Sequence, residues 1–136
     1  QARESTISQN FSAIVLFLSQ GTFIVTSFKP DEYNSASPYL IVKSADATIE
    51  FLKEVFGGEP LRRVPREDGG VMHAEVRVDD SVIMMGEAAE HWPAVNSHVH
   101  VYVADADATY QKALAAGGTS IMAPVQRSEE DDKRGG

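Results

Sequence analysis

Residues 98–118, HVHVYVADADATYQKALAAGG, decide the fold. Six residues alternate, Ala104-Asp105 turns the chain, a 3.6-residue apolar period runs to Ala116, and a Gly pair stops it. Alternation, then helical period, then Gly-Gly predicts a strand feeding a capped helix over 105–116. The chain has already written this once, as YLIVKSADATIEFLKEVFGG over residues 39–58. Ala45-Asp46-Ala47-Thr48 returns as Ala106-Asp107-Ala108-Thr109, 61 residues on, and Gly57-Gly58 returns as Gly117-Gly118, 60 on. A spacing near 60 is too long for a solenoid repeat, so it points to two copies of one βα-containing module.

Working outward from the two copies gives a coarse order of elements. Tyr39 opens the first strand, which runs to Lys43, and Ser44 or Asp46 can cap the helix that follows. The apolar face of that helix is Ala45, Ile49, Leu52, Val55 and Phe56. Residues 59–65 make a weak strand whose two prolines hold it at an edge or bulge. Residues 71–78 alternate, with Met72, Ala74, Val76 and Val78 on one face and His73, Glu75 and Arg77 on the other. Asp79-Asp80 turns into an apolar strand over 81–86, and residues 87–97 connect to the second copy. That copy predicts strands over 98–103 and 120–125 on either side of its helix.

The flanks differ in character. Residues 11–18 and 22–28 are β-branched and aromatic runs split by Ser19-Gln20-Gly21, which predicts a β-hairpin. A secretory signal and translational read-through upstream of Val25 compete with that reading, and the polar interruption argues against a membrane span. Residues 1–36 are therefore expected to be a leader and linker outside the functional module, with that module over 37–136. Its first half covers about 37–90 and its second about 97–136. The first methionine is Met72 and the chain stops on Gly135-Gly136, from which a fragment is expected.

Composition narrows the classes of function. Apolar residues at 43% and charged residues at 24% suit an ordinary globular domain. A net charge of −8 leaves no basic face to neutralise phosphates, so no nucleic-acid partner is expected. The absence of cysteine excludes disulfides and thiolate chemistry and suits a reducing, cytoplasmic setting. Phosphate-cradling Gly loops, HExxH and Ser-His-Asp arrangements are all missing.

Tandem βαβββ modules are the plan of the vicinal-oxygen-chelate superfamily, the glyoxalase I, bleomycin-resistance and extradiol-dioxygenase group. The sequence resembles its PhnB-like branch in Ser37-Pro38-Tyr39-Leu40-Ile41-Val42, Ala47 to Phe56 with its Gly pair, and Met72-His73-Ala74-Glu75. Asp80-Ser81-Val82-Ile83-Met84-Met85 and the stretch from His98 to Asp105 add to the likeness. The resemblance spans residues 37–125, about two thirds of the chain, and implies an α+β fold with the second module incomplete. It implies two further strands beyond Gly136, a vacancy that the leader hairpin is a candidate to fill.

The resemblance also implies a cup of strands with the helices outside and a ligand inside. Metal-using members carry ligands on the first and last strands of both modules. Here those positions fall on His98, on its twin Ser37, and near Met84 with Glu87 as the nearest carboxylate; the fourth lies outside the chain. One of four is clearly met, whereas a divalent site needs three or more protein ligands. The expectation is a small-molecule-binding protein without a complete metal site, dimerising as family members do. The alternatives are a metal-dependent lyase or dioxygenase in a longer form, where a divalent metal becomes possible, and a truncated scaffold without function.

Five residues are candidates for ligand contact. His98, His100 and Tyr102 share one face of their predicted strand, with Val99, Val101 and Val103 behind them against the helix. His73 sits on the polar face of its strand, although pairing of His73 or Glu75 with Arg77 or Arg63 is the plainer outcome. Met84 is a flexible apolar wall, with Met85, Trp92 and Tyr102 as further cavity candidates.

Overall fold

The computed structural model describes the backbone at 15–17 and 23–25 and the whole chain over 28–136. It forms two compact units, Gln1–Ser35 and Ala36–Gly136. In the first, β1 (Val15–Phe17) and β2 (Phe23–Val25) pair antiparallel, Leu16 opposite Ile24, as the split β-branched runs predict. Apart from Phe28, the rest of those runs and the turn between them lie outside the described residues.

The second unit is built on β3 (Tyr39–Val42), α1 (Ala45–Phe56), β4 (Glu59–Pro65), β5 (Val71–Val78), β6 (Ser81–Glu87) and α2 (Ala106–Ala115). The four strands form one mixed sheet in the order β3-β6-β5-β4. Helix α1 carries the chain from one sheet edge to the other, and the β4-β5-β6 meander returns it beside β3. There β6 pairs with β3 in parallel, Tyr39 opposite Met84 and Leu40 opposite Met85. This is one βαβββ module.

Local chemistry sets the helix limits. Ser44 is the N-cap of α1, its hydroxyl accepting from Ala47 N at 3.2 Å, and Asp105 caps α2 in the same way from Ala108 N at 2.9 Å. Thr48 and Thr109 both donate back to their cap residue's carbonyl at 2.8 Å, so the sequence repeat is repeated in structure. Gly57 ends α1 at φ 68°, a left-handed conformation that favours glycine.

Helix α1 buries Ala45, Ile49, Leu52 and Val55 against one face of the sheet. That face supplies Ala74, Val76, Val78, Ile83 and Met85, with Leu40 and Val42 at its margin. The packing of α2 is different: it contacts α1 but buries none of its own residues.

Three expectations need correction. Met72 does not share the face of Ala74; it is 56% exposed while Val71 is buried. The β4–β5 register shifts between Val64 and Pro65, which leaves Met72 as the extra residue and seats Val71 in the core. A second shift, between Pro60 and Arg62, turns Arg63 to the helix side opposite Ala74. Arg63 consequently pairs bidentately with Asp46 of α1, at 2.8 and 2.9 Å, rather than with His73 or Glu75. Finally, residues 98–103 and 120–125 are not strands. A strand exists through its partner's ladder, and residues 121–136 fold back on themselves instead, with Val125 bridged to Arg134.

The Arg63 guanidinium, through its hydrogen bonds, holds the Asp46 carboxyl below its ordinary range. A folded-state value below the unfolded one stabilises above the ordinary carboxylate range and is lost as pH falls through the lowered value. Thermal unfolding of the parent and Asp46→Asn should therefore differ near neutrality and converge at acid pH. A difference that persists at the acid end would contradict this origin.

Candidate functional site

The sheet face turned away from α1 holds the cluster of hydrogen-bonded polar side chains. Strand parity places Tyr39 and Ile41 of β3, Met84 and Gly86 of β6, His73 and Glu75 of β5, and Arg62 and Val64 of β4 on this face. Cross-strand register lines up Tyr39, Met84, Glu75 and Arg62 in one row.

Within this face a hydrogen-bonded chain runs from surface to interior. The Tyr39 hydroxyl lies 3.2 Å from His73 Nδ1, and His73 Nε2 lies 2.7 Å from Glu75 Oε1. Tyr39 is 48% exposed and Glu75 only 4%, so the chain has a wet end and a dry end. An ionised Glu75 can only accept, which assigns the imidazole proton to Nε2 and leaves Nδ1 to accept from the tyrosine hydroxyl. The Tyr39 and His73 rings stack with centroids 5.6 Å apart and planes inclined by 29°.

Tyr39 reaches His73 by passing over β6 at Gly86. A Cβ at that position would stand 3.2 Å from Tyr39 Oη and 2.9 Å from the Met72 carbonyl oxygen. Glycine is thus favoured chiefly by the close approach of the Met72 carbonyl, with the Tyr39 hydroxyl tight on the same side.

His73 lies on this face beside Glu75, and Met84 stands directly between Tyr39 and Glu75 in the row. The other three candidates lie elsewhere. His98, His100 and Tyr102 are exposed on a segment outside the sheet, and the structure does not bring them to His73. His100 and Tyr102 meet edge-on at 4.8 Å and line a separate cavity of about 670 Å³ with Phe51, Phe56, Tyr110 and Leu114. Of their backing valines only Val101 packs on the core. Met85 is core and Trp92 is exposed, so neither lines the sheet face. Sequence reasoning passed over Tyr39 and Gly86; the usable signal was an aromatic hydroxyl sharing strand parity with Ser37, the expected ligand position.

The metal positions implied by the resemblance do not fit a metal here. Both oxygens of Glu87 are engaged, accepting from Ala45 N at 2.9 Å and Val71 N at 3.0 Å. They are also on the wrong face, since Glu87 stands opposite Val42 on the α1 side. His98 is exposed outside the sheet, and the buried Ser37 hydroxyl is a neutral, weak donor. Among the described residues no three His, Asp or Glu side chains converge. No described helix is long and apolar enough to cross a membrane.

Comparison with known proteins agrees with this architecture. An uncharacterised protein of Mycobacterium tuberculosis strain H37Rv is 30% identical over 115 residues, which cover 76% of the chain. The chain spans 65% of that relative's length. The fold is shared with the fosfomycin resistance protein FosX of Listeria monocytogenes, at TM-score 0.57 and 14% identity over 75% of this chain and 81% of that one. A FosX variant complexed with Mn(II) and 1S,2S-dihydroxypropylphosphonic acid matches at TM-score 0.51 and 16% identity, covering 69% and 76% of the two chains. TioX from Micromonospora sp. ML1 matches at TM-score 0.53 and 21% identity over 75% of this chain and 84% of that one. The family model for the Glyoxalase/Bleomycin resistance protein/Dioxygenase superfamily matches residues 32–132, and with the βαβββ sheet already described, the chain belongs to that superfamily.

Proposed function

We propose that this chain binds a small organic molecule on the sheet face of Tyr39, His73, Glu75 and Met84, without a complete metal site of its own. The observation that carries the reading is the Tyr39–His73–Glu75 chain, a buried carboxylate orienting an imidazole toward an exposed hydroxyl. Few precisely placed polar groups beside apolar walls are what a small-molecule site needs, and Met84 and Ile41 supply such walls. That a FosX variant of the same fold is complexed with Mn(II) and a phosphonic acid supports a small organic ligand, and the donors described above argue against the metal. The working module is residues 37–136, a PhnB-like cytoplasmic homodimer, with residues 1–36 outside it.

Methyl and amide NMR mapping with a fragment collection tests the reading. Shifts are expected at Met84, Tyr39 and His73, and shifts confined to the cavity beside α2 would overturn it. A second arm adds Mn²⁺ to the same sample. Only diffuse broadening is expected; stoichiometric broadening around His98 that vanishes in His98→Ala would favour the metal-dependent lyase or dioxygenase instead.

A further inference from the structure

We propose that Tyr39, His73 and Glu75 form a nucleophile, base and positioning group, and that the ligand class they act on is an activated acyl compound. The proposal rests on the sheet face being the ligand face. The pattern that activates a weak nucleophile is a base within hydrogen-bond reach, itself oriented by a third group. Tyr39 Oη to His73 Nδ1 at 3.2 Å and His73 Nε2 to Glu75 Oε1 at 2.7 Å are that pattern. Tyr39 is the exposed end of the chain, so it is the residue an incoming ligand meets first.

The step balances within these three residues. Tyr39 Oη forms a bond to the acyl carbon, the bond from that carbon to its leaving oxygen breaks with its electron pair, so that the leaving group departs as an oxyanion, and the tyrosine proton passes to His73 Nδ1. The resulting imidazolium lies against Glu75, whose buried carboxylate compensates its charge. Among the described residues, Arg62, opposite Glu75, Arg77, two residues along β5, and Glu59, opposite Arg77, are charged neighbours on the same face. Met84 and Ile41 offer the acyl group's apolar remainder a wall. Tyr39 touches the substrate; Glu75 acts only through His73 and is a positioning residue.

Exposure and activation make opposite forecasts, which is what makes the idea testable. Tyr102 is 79% exposed against 48% for Tyr39, so exposure alone would acetylate Tyr102 first. The probe is 4-nitrophenyl acetate on the full chain, read by release of 4-nitrophenolate and by peptide mass spectrometry at each tyrosine and histidine. About one equivalent of acetyl is expected on Tyr39, at least about tenfold faster than on Tyr102, a modest share of what a positioned base supplies. His73→Gln should bring Tyr39 to the Tyr102 rate or below. Glu75→Gln, which keeps a hydrogen-bond acceptor but loses the charge, should slow Tyr39 several-fold and leave Tyr102 unchanged. Acetylation of Tyr102 first, acetyl resting on His73 rather than Tyr39, or a Tyr39 rate indifferent to His73→Gln overturns the proposal. The Tyr39-to-Tyr102 ratio in the parent protein needs no variant, so a variant that fails to fold does not remove the test. Fragment mapping is read separately, and a fast Tyr39 with fragments seated beside α2 would sink the ligand reading and leave the triad standing.

Discussion

Met85→Ala is expected to lower the unfolding free energy by about 2–5 kcal/mol, the range for emptying a fully buried large side chain. Met85 is 0% exposed and stands in register between Leu40 of β3 and Ala74 of β5. Its side chain belongs to the cluster that Ile49 and Leu52 of α1 close from above. Neighbours held by three strands and a helix have little freedom to collapse into the space, which places the loss toward the upper part of the range. Met85→Leu nearly conserves volume and should cost less than about 1.5 kcal/mol. Urea unfolding of both variants, with Met84→Ala from the opposite face as reference, decides the matter. If Met84→Ala costs as much as Met85→Ala, the core has been assigned to the wrong side of the sheet.

Glu87→Ala is expected to rank next, at about 2–4 kcal/mol, because one carboxylate serves two backbone donors. Its Oε1 accepts the first N–H of α1, at Ala45, and its Oε2 accepts from Val71 at the start of β5. Each donor left without a partner in a half-buried place costs about 1–3 kcal/mol, and the negative charge also sits where the helix dipole favours it. Glu87→Gln keeps a single acceptor oxygen and should lose roughly half as much. Amide hydrogen exchange would separate the two contacts, since faster exchange is expected at both Ala45 and Val71 in the alanine variant. Exchange accelerated at neither site would show the carboxylate to be dispensable.

The first module could be read from the chain because its decisive contacts are local in pattern. Ser44 and Gly57 mark both ends of α1, and the apolar spacing of Ile49, Leu52 and Val55 identifies its buried face. What escaped were events that depend on a partner strand. The two prolines of β4 announce an edge or bulge, but not that the shift falls at Leu61, which decides whether Arg63 meets His73 or Asp46. Met72 and Val71 exchanged roles for the same reason.

The candidate site divided along the same line. His73 and Met84 were placed on strands that the structure does hold in a ladder. His98, His100 and Tyr102 alternate just as well, but alternation encodes a face only where a ladder holds the strand, and none holds this one. Tyr39 was hidden by the parallel β3–β6 pairing, which joins positions 45 residues apart with no local trace. The relation of Glu87 to α1 is likewise a contact across 42 residues.

That parallel pairing has a consequence for how the site comes into being. The β4–β5–β6 meander closes through short turns, whereas β3 must wait for α1 and two hairpins before its partner exists. Loop-closure entropy makes such a non-local contact costly to close, and so late to form. His73 and Glu75 sit together on β5, so their pairing does not depend on β3; the Tyr39 contact does. The tyrosine is in place only in chains whose last ladder has closed, so the wet end of the hydrogen-bonded chain is also a gauge of whether the fold is finished.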